Sequence, residues 1–215
     1  MNWLNAAYSG VADPVKSAAL NTQATISLLQ QLQVGSYVPS GGAVYANNTF
    51  ATAMKNTAAL IKSEAGIEAA HIDLGGWDTH SNQGPLTGGM STLMGTLAGA
   101  LAAFHLDLYN STYFKNVTVV IVSEFGRVAR ENASLGSDHG HGNIMMVLGG
   151  QVNGQVYANW PGLSAAQLYQ GQDLAVTTDH RDILAEIVAK RLGNQTNLGA
   201  IFPGYSPTFR NIVNS

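Results

Sequence analysis

Cysteine is absent from the 215 residues of this chain. Disulfides, cysteine-based zinc sites and thiol nucleophiles are therefore excluded. Charge is also sparse, because Lys and Arg total 10 and charged residues make up only 11% of the chain. The basic residues are scattered, so the sequence lacks the positive patch with which nucleic-acid-binding proteins hold phosphates. We expect no nucleic-acid partner.

Long apolar runs and several catalytic signatures are missing as well. No segment reaches the roughly 18–20 consecutive apolar residues of a membrane span. Residues 1–5 lack the basic and apolar regions of a signal peptide. The G-x-S-x-G motif of serine hydrolases and the glycine-rich nucleotide-binding motifs do not occur. We expect a soluble, unprocessed chain with no membrane partner and no serine or cysteine nucleophile.

The spacing of apolar residues predicts four helices and three strands. The helices are expected over residues 14–34, Asn48–Glu64, Met90–Leu108 and His180–Arg191. Thr178 or Asp179 is expected to cap the last helix, and Gly193 to end it. The strands are expected over Ile67–Leu74, Val117–Val122 and Ile144–Leu148.

Strands that alternate with helices predict an α/β fold with a mainly parallel sheet flanked by helices. The second strand consists almost entirely of Val and Ile, which is typical of a central strand buried on both faces. We expect a single domain over residues 1–215. Residues 1–64 would be a helical cover, 65–192 the core that carries the sheet, and 193–215 a tail.

Polar clusters fall where the predicted strands begin or end. In open α/β sheets, ligands bind beyond the carboxyl ends of the strands. Carboxylate and imidazole groups on glycine-flanked loops are suitable ligands for a divalent metal ion. The candidates are Asp73, Asp78 and His80 after the first strand, Glu124 and Arg127 after the second, and Asp138, His139 and His141 before the third.

Each cluster also has a structural interpretation. Asp78 could close a turn by accepting from the amide of Ser81 or Asn82. Glu124 could pair with Arg127 or Arg130 and set its loop, and Arg127 could instead clamp an anionic substrate. The histidines of residues 138–141 could be hydrogen-bonded in a solvated turn. The residues alone leave these alternatives open.

Three motifs together resemble a known family. They are GGWDTHSN at residues 75–82, SEFGR at 123–127 and DHG at 138–140. They resemble the domain-of-unknown-function family numbered 1501, a bacterial family that is often exported by the twin-arginine route and is similar to sulfatases of the alkaline-phosphatase-like superfamily. The resemblance extends from about Leu4 to Ile212, and the chain looks like the carboxy-terminal portion of a longer member. It implies part of an alkaline-phosphatase-like fold and a periplasmic or secreted location.

The same resemblance implies a set of metal ligands. In the superfamily, an Asp–His pair, a second acidic cluster and a later His hold the metals. By motif order, Asp78 and His80 resemble the first pair, Glu124 the second acidic ligand and His139 the late histidine. Glu124 and Phe125 stand where superfamily enzymes usually carry Asp-His, which is a departure from a full two-metal site.

We therefore expect a metal-dependent hydrolase of a small-molecule ester, in which one divalent ion activates a water molecule. The ion would be zinc, manganese or calcium. The resemblance favours phosphate or sulfate esters, while direct attack by water would equally suit carboxylic esters or lactones. The alternatives are a non-catalytic, metal-binding secreted protein and an inactive fragment of a longer hydrolase. The expected metal ligands are Asp78, His80, Glu124, Asp138 and His139, and the expected catalytic residues are Glu124, Arg127 and His141.

Overall fold

Helices and short strands make up the fold, which the computed structural model describes for residues 6–84 and 86–215. The first residues of the predicted helical cover, 1–5, lie outside the described residues. The helices are α1 Val15–Leu32, α2 Thr49–Lys62, α3 Gly89–Tyr109, α4 His180–Arg191 and α5 Leu198–Ile201. The strands are β1 Thr118–Ile121, β2 Gly126–Arg127, β3 His139–Gly140 and β4 Met146–Gly149. Short 3-10 turns occur at Val34–Ser36, Phe114–Asn116 and Gln195–Asn197.

All four predicted helices are present as α1 to α4, close to their predicted ends. Their ends follow from local side-chain chemistry. The Asn48 side chain accepts from the amide of Ala51 and caps α2. Asp179 does the same for α4 through the amide of Arg181, as predicted. Gly193, just beyond α4, has φ of 63°, a left-handed conformation that suits glycine at a helix end.

The predicted parallel sheet is wrong. Within the described residues, the strands form two separate antiparallel pairs, β1 with β4 and β2 with β3. β1 and β4 lie close to two of the predicted strand positions. They run antiparallel because residues 122–145 between them hold the β2–β3 hairpin and no crossover helix, which a parallel pair would need.

The predicted strand Ile67–Leu74 is also wrong. Residues 66–76 make no backbone–backbone hydrogen bond with any described residue, so they join neither sheet. Ile72 and Leu74 still pack against the core while His71 and Asp73 are exposed. The alternation of apolar and polar residues therefore indicates which face of this segment is buried. It does not show that the segment pairs with another strand.

Two hydrophobic clusters lie on the two sides of β1. The first is formed where α2 packs on α3, and the second where α4 packs on the chain terminus. Alternate side chains of β1 reach both, because Val119 and Ile121 contact the first cluster and Val120 contacts the second. The buried residues include Phe50, Met54, Leu97, Phe104 and Leu108 in the first cluster, and Ile183, Ile187, Ile212 and Val213 in the second.

The two longest helices, α1 and α3, differ in how many of their residues are buried. α1 buries none of its residues, although its sequence has a helical apolar pattern. Among the described helices, α3 alone is long and apolar enough to cross a membrane, judged by length and composition. A single such helix is weak evidence for a membrane span, and α3 contributes Leu97, Phe104 and Leu108 to the first cluster.

A buried carboxylate ties α3 to the chain before α2. Asp107 is 2% exposed and lies 2.6 Å from Nζ of Lys62. It also accepts hydrogen bonds from the hydroxyls of Tyr37 and Tyr45 and from the amide of Ser40. Burial opposes the charged form, but the hydrogen bonds from Lys62, Ser40 and the tyrosines outweigh it and lower the pKa of Asp107.

Candidate metal centre

Three side chains from two distant loops meet at the surface. They are Asp78 and His80, on the loop before α3, and His139 on β3, and their ligand atoms all lie within 4.8 Å of one another. Both imidazoles direct Nε2 at one oxygen: Asp78 Oδ1 is 2.7 Å from His139 and 2.9 Å from His80. The three side chains are 47% to 59% exposed. A carboxylate and two imidazoles that converge on one point form a donor set that fits zinc or manganese.

Backbone pairing and close glycine contacts position this cluster. In the β2–β3 hairpin, Arg127 pairs with His139 and Gly126 pairs with Gly140. Gly136, on the loop before β3, lies so close to the backbone of His80 that a Cβ at position 136 would overlap its carbonyl group. The loop that leads to His139 can therefore approach the loop of His80 only with glycine at this position.

Arg127 connects the two loops through its side chain. Its guanidinium donates to the carbonyl oxygens of Trp77 and Ser137, the residues just before Asp78 and Asp138. One nitrogen also lies 3.6 Å from Asp78 Oδ1, and the side chain is only 19% exposed. The donors of Arg127 are therefore turned toward the protein backbone, where they hold the two ligand-bearing loops in register.

Asp138 lies behind His80. Its Oδ1 is 2.8 Å from Nδ1 of His80, the ring nitrogen opposite the one that faces Asp78. The Asn132 amide donates to the same Asp138 oxygen at 3.0 Å and to the backbone carbonyl of His80. A carboxylate on the outer nitrogen of a metal-ligating histidine fixes the orientation of the ring. This geometry gives Asp138 the position of an orienting group.

Both aspartates of the cluster are held in their charged form. The hydrogen bond from His139 lowers the pKa of Asp78, and the nearby His80 and Arg127 act in the same direction. The hydrogen bond from His80, with a second from Asn132, lowers the pKa of Asp138. Asp78 accepts no hydrogen bond from the amides of Ser81 or Asn82, since among the described residues its contacts are the histidines and Arg127.

Glu124 is not brought to the cluster. It is exposed and makes no hydrogen bond or ion pair with any described residue, so the alternative pairs with Arg127 and Arg130 do not form. Its chain neighbour Phe125 stacks on the ring of His139, with centroids 4.0 Å apart. Phe125 and Arg127 contact the cluster, whereas Glu124 lies at a bend and is exposed.

The other polar candidates lie in separate pairs. His71 lies 3.4 Å from Asp73, and both are largely exposed on the segment before the cluster. His180 lies 3.7 Å from the helix cap Asp179. Within the described part of the chain, no hydrogen bond or ion pair connects these pairs to the three converging side chains.

His141 forms a further pair that sequence reasoning missed. Its Nδ1 lies 2.9 Å from Oδ2 of Asp173, and its ring packs on Tyr169 with centroids 4.0 Å apart. Asp173 lies in a polar loop with no motif and no neighbouring histidine in the sequence. Only the tertiary contact between residues 141 and 173 reveals it.

Comparison with known proteins gives a family but no activity. A family model described as "Protein of unknown function (DUF1501)" matches residues 16–198. This covers most of the chain, which therefore belongs to that family. No curated protein and no solved structure matches the chain.

Proposed function

We propose that this chain is a metal-dependent hydrolase of esters, with Asp78, His80 and His139 as its metal ligands. The observation that carries the proposal is the approach of two imidazole Nε2 atoms to the same oxygen of Asp78, at 2.7 and 2.9 Å. A divalent ion held there would lower the pKa of a bound water and polarise an ester oxygen. The exposure of the three side chains leaves room for the water and the substrate.

Neighbouring residues hold the three proposed ligands in position. Asp138 orients His80, and Arg127 keeps the carbonyls of residues 77 and 137 in place, so that the two loops stay aligned. We assign Arg127 a positioning role rather than contact with a substrate anion, because its donors are engaged by backbone. Glu124 stays a predicted ligand with no contact to the cluster in this structure. Zinc or manganese suits two imidazoles better than calcium, which prefers oxygen ligands.

Phosphate and sulfate esters are the substrates that the motif resemblance to sulfatases favours. The support is the order of Asp78, His80 and His139 along the chain, since the described fold does not contain the parallel sheet expected of that superfamily. Carboxylic esters and lactones fit the same donor set, because attack by water requires no protein nucleophile. A periplasmic or secreted location belongs to the same proposal.

An ester panel tests the proposal. The zinc- or manganese-loaded protein is assayed on p-nitrophenyl phosphate, sulfate and acetate, beside the variants Asp78→Ala, His139→Ala and the control His71→Ala. We expect hydrolysis of at least one ester, a loss of more than tenfold in the two site variants and no loss in the control. Loss of less than tenfold in the site variants would overturn the assignment.

A non-catalytic metal-binding role is the second candidate. The observation that favours it is the open setting of the cluster, because a cavity of about 260 Å³ lies instead beside Ser40, Lys62 and Asp107. Stoichiometric metal without turnover of any ester in the panel would support this role.

A further inference from the structure

A second imidazole–carboxylate pair lies next to the candidate metal centre. His141 follows His139 by two positions, just beyond β3. His141 lies at a bend, and two residues of backbone span at most about 7 Å between their Cα atoms. The backbone of His141 therefore lies within about 7 Å of the backbone of the ligand His139, on the same side of the hairpin loop.

The partner of His141 is placed by backbone contacts that do not involve its carboxylate. Asp173 forms antiparallel bridges with Val128, just after β2, and with Tyr169. The amide of Gly142 donates to the carbonyl of Leu174 at 2.9 Å. The loop is thus attached to the segments that follow β2 and β3, and it brings Asp173 to the Nδ1 edge and Tyr169 to the ring of one imidazole.

The contact with Asp173 determines which ring nitrogen of His141 carries the hydrogen and which one remains an acceptor. Asp173 is largely buried, with 16% of its side chain exposed, and Nδ1 of His141 lies 2.9 Å from its Oδ2. An ionised carboxylate offers only acceptors, so Nδ1 carries the hydrogen and Nε2 of the neutral ring is an acceptor. Nε2 makes no hydrogen bond or ion pair with any residue that the structure describes.

We propose that Asp173 is a positioning residue, which holds His141 as the Nδ1–H tautomer so that Nε2 accepts a hydrogen bond from the attacking water. This inference rests on the proposed hydrolase function. A carboxylate that fixes a catalytic imidazole in this way acts on the rate of reaction and not on metal binding, because Asp173 touches none of the three converging side chains.

Asp173→Asn tests the role with little change of shape, since the backbone bridges of residue 173 remain. The matched control is Asp73→Asn, which alters another aspartate beside a histidine, in the exposed pair with His71. Three readouts separate the possibilities: ¹⁵N NMR of the histidine rings in the metal-free protein at alkaline pH, metal content after loading with zinc, and kcat and KM on the most active ester.

We expect the Nδ1–H signature for His141 in the wild type and its loss in Asp173→Asn. The variant should keep the wild-type metal content while kcat falls at least tenfold and KM changes less than twofold. Asp173→Glu should recover part of kcat, and Asp73→Asn should match the wild type throughout.

Two results would overturn the role of Asp173 alone. One is an Nε2–H ring for His141 in the wild type, and the other is wild-type kcat in Asp173→Asn with normal metal content. A wild-type protein that takes up no metal and hydrolyses no ester overturns the proposed function together with this inference. The metal analysis distinguishes that failure from a failure of Asp173.

Discussion

His139 Nε2 lies 2.7 Å from Asp78 Oδ1, although 61 positions separate the two residues in the chain. The contact joins the loop before α3 to the β2–β3 hairpin. Arg127 supports it by donating to the carbonyls of Trp77 and Ser137, one on each loop. The candidate metal centre therefore depends on loop-to-loop contacts, and four predictions follow from those contacts and from the buried carboxylate Asp107.

Arg127 is expected to control metal affinity. Arg127→Gln leaves the two loop carbonyls without their shared donor, so the loops lose alignment and zinc affinity should fall by about 10–100-fold, as for outer groups of other metal sites. Calorimetric titration with zinc measures this. The control is Arg130→Gln, because the Arg130 guanidinium donates to Gln172 and, among the described residues, to no other side chain. Unchanged zinc affinity together with a raised KM would instead assign Arg127 to the substrate.

Asp138 is expected to tune the site without being a ligand. Asp138→Asn should weaken zinc binding by about 10–100-fold while keeping the stoichiometry, because His80 loses the carboxylate that orients it. His139→Ala should abolish the bound ion under the same conditions. Equal loss of stoichiometry in both variants, measured by competition with a chromogenic chelator, would make Asp138 a direct ligand.

Gly136 is expected to be required for the approach of the two loops. In Gly136→Ala, the new Cβ would overlap the carbonyl of His80, so the backbones must separate. Zinc affinity and melting temperature should both fall. Gly75→Ala is the matched control near the same site, because a Cβ at Gly75 meets nothing within 4 Å. Equal affinity in the two variants would contradict the close approach.

Asp107 is expected to contribute to the acid sensitivity of the core. Its pKa is lowered in the folded state, so its contribution to stability is present above the ordinary Asp pKa of about 4 and is lost as the pH falls through the folded pKa. Asp107→Asn removes the partner of the largely buried Lys62, which should cost about 3–5 kcal/mol at pH 7.

Urea unfolding at pH 7 and pH 3 checks this prediction. The free energy of unfolding should fall less between the two pH values in Asp107→Asn than in the wild type. Asp73→Asn, at an exposed position, should follow the wild type. The same pH dependence in all three proteins would show that Asp107 contributes nothing to acid sensitivity.

Helices were the part of the fold that the sequence predicted well, because their spacing and caps are local. Asn48, Asp179 and Gly193 lie at helix ends for reasons that their own chemistry supplies. The arrangement of strands was not predictable in this way. The apolar pattern of Ile67–Leu74 identified a half-buried segment, but the hydrogen-bond partners that make a strand lie elsewhere in the chain, and this segment has none among the described residues.

For the candidate site, too, contacts between distant parts of the chain could not be predicted from the sequence. Motif order grouped Asp78, His80 and His139, and the structure brings these side chains together, while their binding of a metal stays a prediction. Glu124 makes no hydrogen bond or ion pair with any described residue, and Asp138 lies at the outer nitrogen of His80. The residues around Asp173 do not predict a functional role for it, because its partner His141 is 32 positions away.

Elemental analysis of the protein, purified without chelator and without nickel affinity, tests the central claim most directly. The account predicts close to one divalent ion per chain, lost in His139→Ala and kept in His71→Ala. Absence of metal from the wild type, with none taken up on titration with zinc or manganese, would contradict it.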